Sequence, residues 1–163
     1  MGTWDENLTL YTVAQGKEIN QIGSEKKLGF DPLSISYFSN GQFMVIAGTN
    51  NKLTLWNKDG VRLGELGELN DWVWSAQVCP EKRTILAGSN SGDIVQIEAE
   101  FKNVHDFYID RYAYRELMTD VIIHHLYTET RVKIRCRDYI QRIAIYKDKL
   151  AVQLPERIII YAV

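Results

Sequence analysis

Along most of the chain, apolar residues come in short runs or in strict alternation with polar ones, punctuated by Asn, Gly, Asp, Ser and Lys. That is the period of strands and tight turns. The three-to-four spacing that would line one face of a helix is almost absent. The pattern also repeats. The Ala47-Gly48-Thr49-Asn50 turn returns as Ala87-Gly88-Ser89-Asn90, 40 residues later (88 − 48), and Leu8-Thr9-Leu10-Tyr11 returns as Leu53-Thr54-Leu55-Trp56 after 45. Val45-Ile46-Ala47 and Ile85-Leu86-Ala87 are apolar on both faces, as a middle strand sandwiched between neighbouring sheets must be. Asn40-Gly41, Asp59-Gly60 and Ser91-Gly92 supply the positive φ that tight hairpins need. Four-stranded units recurring at about 40–45 residues predict an all-β, WD40-type β-propeller.

At about 42 residues per unit the chain holds about four blades, a partial ring. Residues 1–23 read as a blade remnant, about 34–66 and 73–100 as blades, and about 121–163 as a terminal blade. The last of these has strands expected near 131–136, 140–147, 149–154 and 158–163. Between them, about 101–120 is rich in Tyr, His and Asp, breaks the rhythm, and reads as an insertion or long loop. Closed propellers have about 4–8 blades. A partial ring that starts and stops mid-blade is expected to be a fragment of a longer chain or one partner of an assembly.

Composition narrows the function more than the fold. The 163 residues are 45% hydrophobic and 25% charged, a globular mixture, with net charge −2. No nucleic-acid partner is expected from that balance, and no apolar run approaches the roughly 18 residues of a transmembrane segment. The charge is uneven: residues 1–99 hold 8 basic and 12 acidic side chains, residues 100–163 hold 11 and 9. Cys79 and Cys136 are too few for a zinc site and read as small buried hydrophobes in a reducing compartment. GxSxG, P-loop, GxGxxG and HExxH signatures are all missing. His124 and His125 are adjacent on a predicted strand, so they point to opposite faces and share no metal. The chain is not read as an enzyme; catalytic, cofactor and metal residues are each expected to be none.

Three places are candidates for partner binding. In 131–137, Arg131, Lys133, Arg135 and Arg137 alternate with Val132, Ile134 and Cys136. This predicts a basic strand face that either docks an acidic partner or lipid head group, or merely guards an exposed edge. Alternation puts Trp72 and Trp74 on one face, as an interface hot spot or as filler between blades. Arg111, Tyr112, Tyr114 and Arg115 lie in the irregular segment, either as a docking anchor or as side chains tying the loop to backbone carbonyls.

Some stretches are more specific than propeller punctuation. Phe30-Asp31-Pro32, Ile35-Ser36-Tyr37-Phe38, Lys58-Asp59-Gly60-Val61-Arg62-Leu63-Gly64 and Trp72-Val73-Trp74 are among them. Asp110-Arg111-Tyr112-Ala113-Tyr114-Arg115, Met118-Thr119-Asp120-Val121-Ile122, Ile143-Ala144-Ile145-Tyr146 and residues 150–158 follow in order. Together they resemble the first, N-terminal propeller of the intraflagellar transport protein 122 family. The family's second propeller and helical-repeat tail fall outside the resemblance. It implies a non-catalytic scaffold subunit of the intraflagellar transport-A complex. Such a subunit supports retrograde ciliary transport and ciliary entry of membrane proteins through protein–protein contacts. The implied partners are other intraflagellar transport-A subunits and ciliary membrane cargo adaptors; the implied location is the cilium and the cytoplasm of the basal body region. The alternative is a vesicle-coat or adaptor-type WD propeller working outside cilia.

Overall fold

The structure, a computed structural model, describes residues 1–13, 18–79 and 82–163. All the regular elements among them are strands, so no helix there is long and apolar enough to cross a membrane. The chain forms two compact units, residues 1–100 and 101–163.

The first unit contains three antiparallel sheets. β1 (Gly2–Thr3), β2 (Asn7–Val13) and β3 (Ile19–Lys27) form one, in that order. β4 (Pro32–Phe38), β5 (Phe43–Gly48), β6 (Lys52–Asn57) and β7 (Arg62–Glu68) form a four-stranded meander. β8 (Val73–Cys79), β9 (Thr84–Ser89) and β10 (Ile94–Glu98) form the third. Every residue of β5 is buried, as its unbroken apolar run requires of a strand covered on both faces. Leu8, Leu10, Phe30, Met44, Ile46 and Trp56 make one core cluster. Inside it the Thr54 hydroxyl donates to the Ile46 carbonyl (2.8 Å) and accepts the Trp56 indole N–H (2.9 Å), so the buried polar atoms are satisfied.

The second unit has two sheets. β11 (His105–Tyr108), β12 (Arg111–Glu116), β13 (Asp120–His125) and β14 (Arg131–Arg135) are consecutive in the first. β15 (Arg142–Tyr146), β16 (Lys149–Gln153) and β17 (Ile158–Ala162) form the second. Their core is Ala113, Val121, Ile123, Cys136, Ile140, Ile143, Ile145, Leu150, Val152 and Leu154. The four strands expected after residue 131 are present as β14 to β17. The segment 101–120, expected as an insertion or long loop, instead contributes β11 and β12 to a regular sheet. Its strands are hard to see because their alternate positions are filled by Tyr, Arg, His and Asp rather than by aliphatic residues. Of β12, only Ala113 is fully buried.

One device joins consecutive sheets in each unit. The Ser34 hydroxyl on β4 meets the Ala76 backbone on β8, accepting its N–H at 3.0 Å, and Ser36 accepts the Val78 N–H at 3.3 Å. In the second unit the Asp106 carboxylate on β11 accepts the Ile145 N–H on β15 at 2.8 Å. In both cases a side-chain oxygen on the first strand of one sheet satisfies a backbone donor on the first strand of the next.

Candidate functional site

The tryptophan pair sits where β8 begins. Trp72 precedes the strand and Trp74 is inside it, separated by fully buried Val73, with a register shift between Val73 and Ser75. Both indoles are about half exposed. They are not packed away between sheets as filler would be. A polar frame holds them. The Trp74 indole N–H donates to the Asn90 side-chain oxygen (3.1 Å), and the Asn90 amide donates to the Asp71 carboxylate (3.0 Å). The Asn90 backbone N–H donates to the Trp72 carbonyl (2.8 Å). The Asn90 amide first, and then the Trp72 N–H that donates to Asp71 at 2.7 Å, lower the pKa of the Asp71 carboxyl. Trp4 was not among the expected candidates, yet it is the most exposed tryptophan, at 81%. Its sequence signal is Trp4-Asp5-Glu6 between two short strands, the same pairing of indole and carboxylate as Asp71-Trp72.

The arginines of 111–115 are occupied within the second unit. Arg111 donates to the carbonyls of Lys147 (2.5 Å) and Val163 (3.1 Å). Arg115 donates to the Ile140 carbonyl (2.6 Å) and the Lys102 carbonyl, and its guanidinium lies over the Tyr139 ring at 5.3 Å. Tyr112 and Tyr114 stack on each other, ring centroids 5.4 Å apart, and His105 lies 5.8 Å from Tyr112.

The basic strand is β14, the edge of its sheet, with Arg131, Lys133 and Arg135 exposed. Lys133 is paired inside the sheet with Glu116 (2.6 Å) and Asp120 (2.8 Å). Those carboxylates raise its pKa, Asp120 first. Arg137 does not extend the strand. Its φ of 57° turns the chain after buried Cys136, whose N–H donates to the Thr119 carbonyl. The expected row of four cations is therefore three on the strand, one of them already neutralised.

Elsewhere, His124 and His125 end β13, and His125 Nδ1 lies 4.0 Å from the Asp110 carboxylate. Asp106, the one acid beside His105, is committed to the Ile145 and Phe107 N–H groups. Cys136 is buried, with burial pushing its thiol up, whereas Cys79 is exposed, contrary to the expectation that both are buried. Among the described residues no group of three or more His, Cys, Asp or Glu could hold a metal ion.

Repeated antiparallel sheets of three or four consecutive strands, latched first strand to first strand, define a β-propeller segment. Residues 105–163 match the family described as IFT122 second beta-propeller. The chain is 47% identical over 158 residues to the intraflagellar transport protein 122 homolog of Mus musculus and 46% identical to that of Xenopus tropicalis. Each alignment covers 97% of this chain and 13% of the relative; for the Homo sapiens homolog the values are 45% identity, 97% and 12%. The chain belongs to the intraflagellar transport protein 122 family, as a segment spanning about an eighth of its relatives' length. The match corrects one expectation: residues 105–163 fall on the family's second propeller, not its first. The stretches that carry the resemblance mark the family, and nothing in them says which of its propellers they belong to.

Proposed function

We propose that this chain is part of a non-catalytic scaffold subunit of the intraflagellar transport-A complex. In that role it supports retrograde ciliary transport and ciliary entry of membrane proteins by protein–protein contacts, in the cilium and at the basal body. One observation carries the reading: identity of 45–47%, sustained over 97% of the chain, to intraflagellar transport protein 122 homologs. The placement of the candidate residues agrees with it, since the tryptophans lie at a turn and the start of β8, the basic residues on and just after edge strand β14, and the Arg111–Arg115 group on interior strand β12 of the second unit, rather than together at one site. The boundary between the two units, next to the first residue of the family match, fits a junction between propellers at about 101–104.

The test is affinity purification of the tagged full-length protein from ciliated cells, followed by mass spectrometry. Recovery of the other intraflagellar transport-A subunits is expected. Recovery of vesicle-coat components in their place would refute the scaffold assignment. Within the same experiment, Arg131→Glu with Arg135→Glu reverses the two cations of β14 other than the ion-paired Lys133. If β14 docks an acidic partner or cargo adaptor, one component is lost while the rest co-purify.

A further inference from the structure

The turns 4–6, 28–31, 49–51, 69–72 and 90–93 all lie at one end of the first unit. Register places them together within each sheet: Thr3 pairs Asn7, Pro32 pairs Gly48, Lys52 pairs Glu68, Val73 pairs Ser89, and Ile94 pairs Gly88. At this end of the first sheet, the Leu28 N–H donates to the Glu6 carbonyl at 2.7 Å, joining turns 4–6 and 28–31. Ser34 and Ser36 meet Ala76 and Val78 in step, so β4 and β8 run in the same direction.

Two features of this rim coincide. Its five turns carry Asp5, Glu6, Asp31, Asp71 and Asp93 and no Lys, Arg or His; of the two lysines that flank them, Lys27 is exposed and Lys52 is paired with Glu65. Three of the four tryptophans also sit there, Trp4, Trp72 and Trp74, at 81%, 47% and 50% exposure, while Trp56 is buried in the core. Neighbouring indoles left half in water, as Trp72 and Trp74 are, mark a surface that something covers. The frame through Asn90 orients Trp74 beforehand, which lowers the ordering cost of binding. Asp5, hydrogen-bonded by Thr3, and Asp71, hydrogen-bonded by Asn90, are both held ionised at neutral pH.

We infer that this rim is the docking surface for a cationic, extended segment of a partner protein, in which Lys or Arg alternates with small apolar residues. The charged heads meet the carboxylates, and the stems and guanidinium planes lie on the indoles. The sign of the rim turns away nucleic acid and anionic lipid. The inference rests on the scaffold reading only for the existence of a protein partner.

The test uses purified full-length protein and a short fluorescent peptide alternating Arg with Ala and Val, read by anisotropy. Saturable binding that weakens with salt is expected, and the same peptide with citrulline for Arg should not bind. Trp72→Ala should weaken binding by about thirtyfold, the scale of an aromatic hot spot. Glu6→Gln with Asp31→Asn, which removes charge without disturbing the frame around Trp74, should weaken it several-fold. Lys58→Ala, at the opposite end of the sheet, should change nothing. No binding by the unaltered protein, equal binding of the citrulline peptide, or indifference to both sets of substitutions would overturn the inference. Complex recovery is scored separately on unaltered protein. Failure there removes the scaffold reading and leaves the peptide result standing.

Discussion

Thr54 shows how much one hydroxyl can carry in a blade core. It is fully buried and bridges the Ile46 carbonyl and the Trp56 indole. Thr54→Val keeps the shape and removes both bonds, leaving a buried donor unpaired. A loss of about 1–3 kcal/mol is expected in urea unfolding. The cysteines offer a second contrast. Cys136 lies among Ile140, Ile143 and neighbouring core residues with its thiol pushed up by burial, while Cys79 faces solvent. Brief iodoacetamide treatment followed by mass spectrometry should modify Cys79 and spare Cys136 until denaturant is added. Sequence alone gave no means of telling the two thiols apart. Nor did it reveal that Arg111 and Arg115 end on backbone carbonyls, because those carbonyls belong to residues 13 to 52 positions away.

At the scale of elements, the repeated Ala-Gly turn has two different surroundings. A Cβ on Gly48 would overlap the Asp31 carbonyl oxygen and crowd the Phe30 ring, whereas a Cβ on Gly88 would meet nothing. Gly48→Ala should therefore cost about 1–3 kcal/mol by overpacking, and Gly88→Ala should be near neutral in the same unfolding assay. The periodicity announces both glycines and cannot rank them, since the obstructing atoms come from the turn before β4. Strands whose alternation is aliphatic, such as β15 and β16, were legible. β11 and β12 were not, because tyrosine and arginine stems cover the sheet where aliphatic residues elsewhere do. On β14, the raised pKa of Lys133 sets the sign of a pH effect. A base raised in the folded state adds stability that is complete below its unfolded value, 10.5, and disappears as pH rises through the higher folded one. Lys133→Met should then cost under about 1 kcal/mol at neutral pH, since the side chain is 39% exposed and screened, and nothing in strong alkali.

For the whole molecule, the division between Glu100 and Phe101 predicts that damage stays on one side of it. Ile123→Ala removes a fully buried side chain from the second unit's core, at a cost of about 2–5 kcal/mol. Hydrogen exchange read by mass spectrometry should accelerate through residues 105–163 and leave 43–57 protected. Faster exchange in both would mean that the two units unfold as one. The repeat length made the architecture legible early, whereas the unit boundary was hidden, since a boundary and an insertion both read as a lapse in rhythm. The latches between first strands have a further consequence. In each, an oxygen of the earlier sheet, on Ser34, Ser36 or Asp106, accepts a backbone N–H of the later one, and the Ser34 hydroxyl also donates to the Ala76 carbonyl. During synthesis, then, the receiving group is already in place when the next strand leaves the ribosome. Within each unit, growth acquires a direction, with the later of the two latched sheets captured by the one before it.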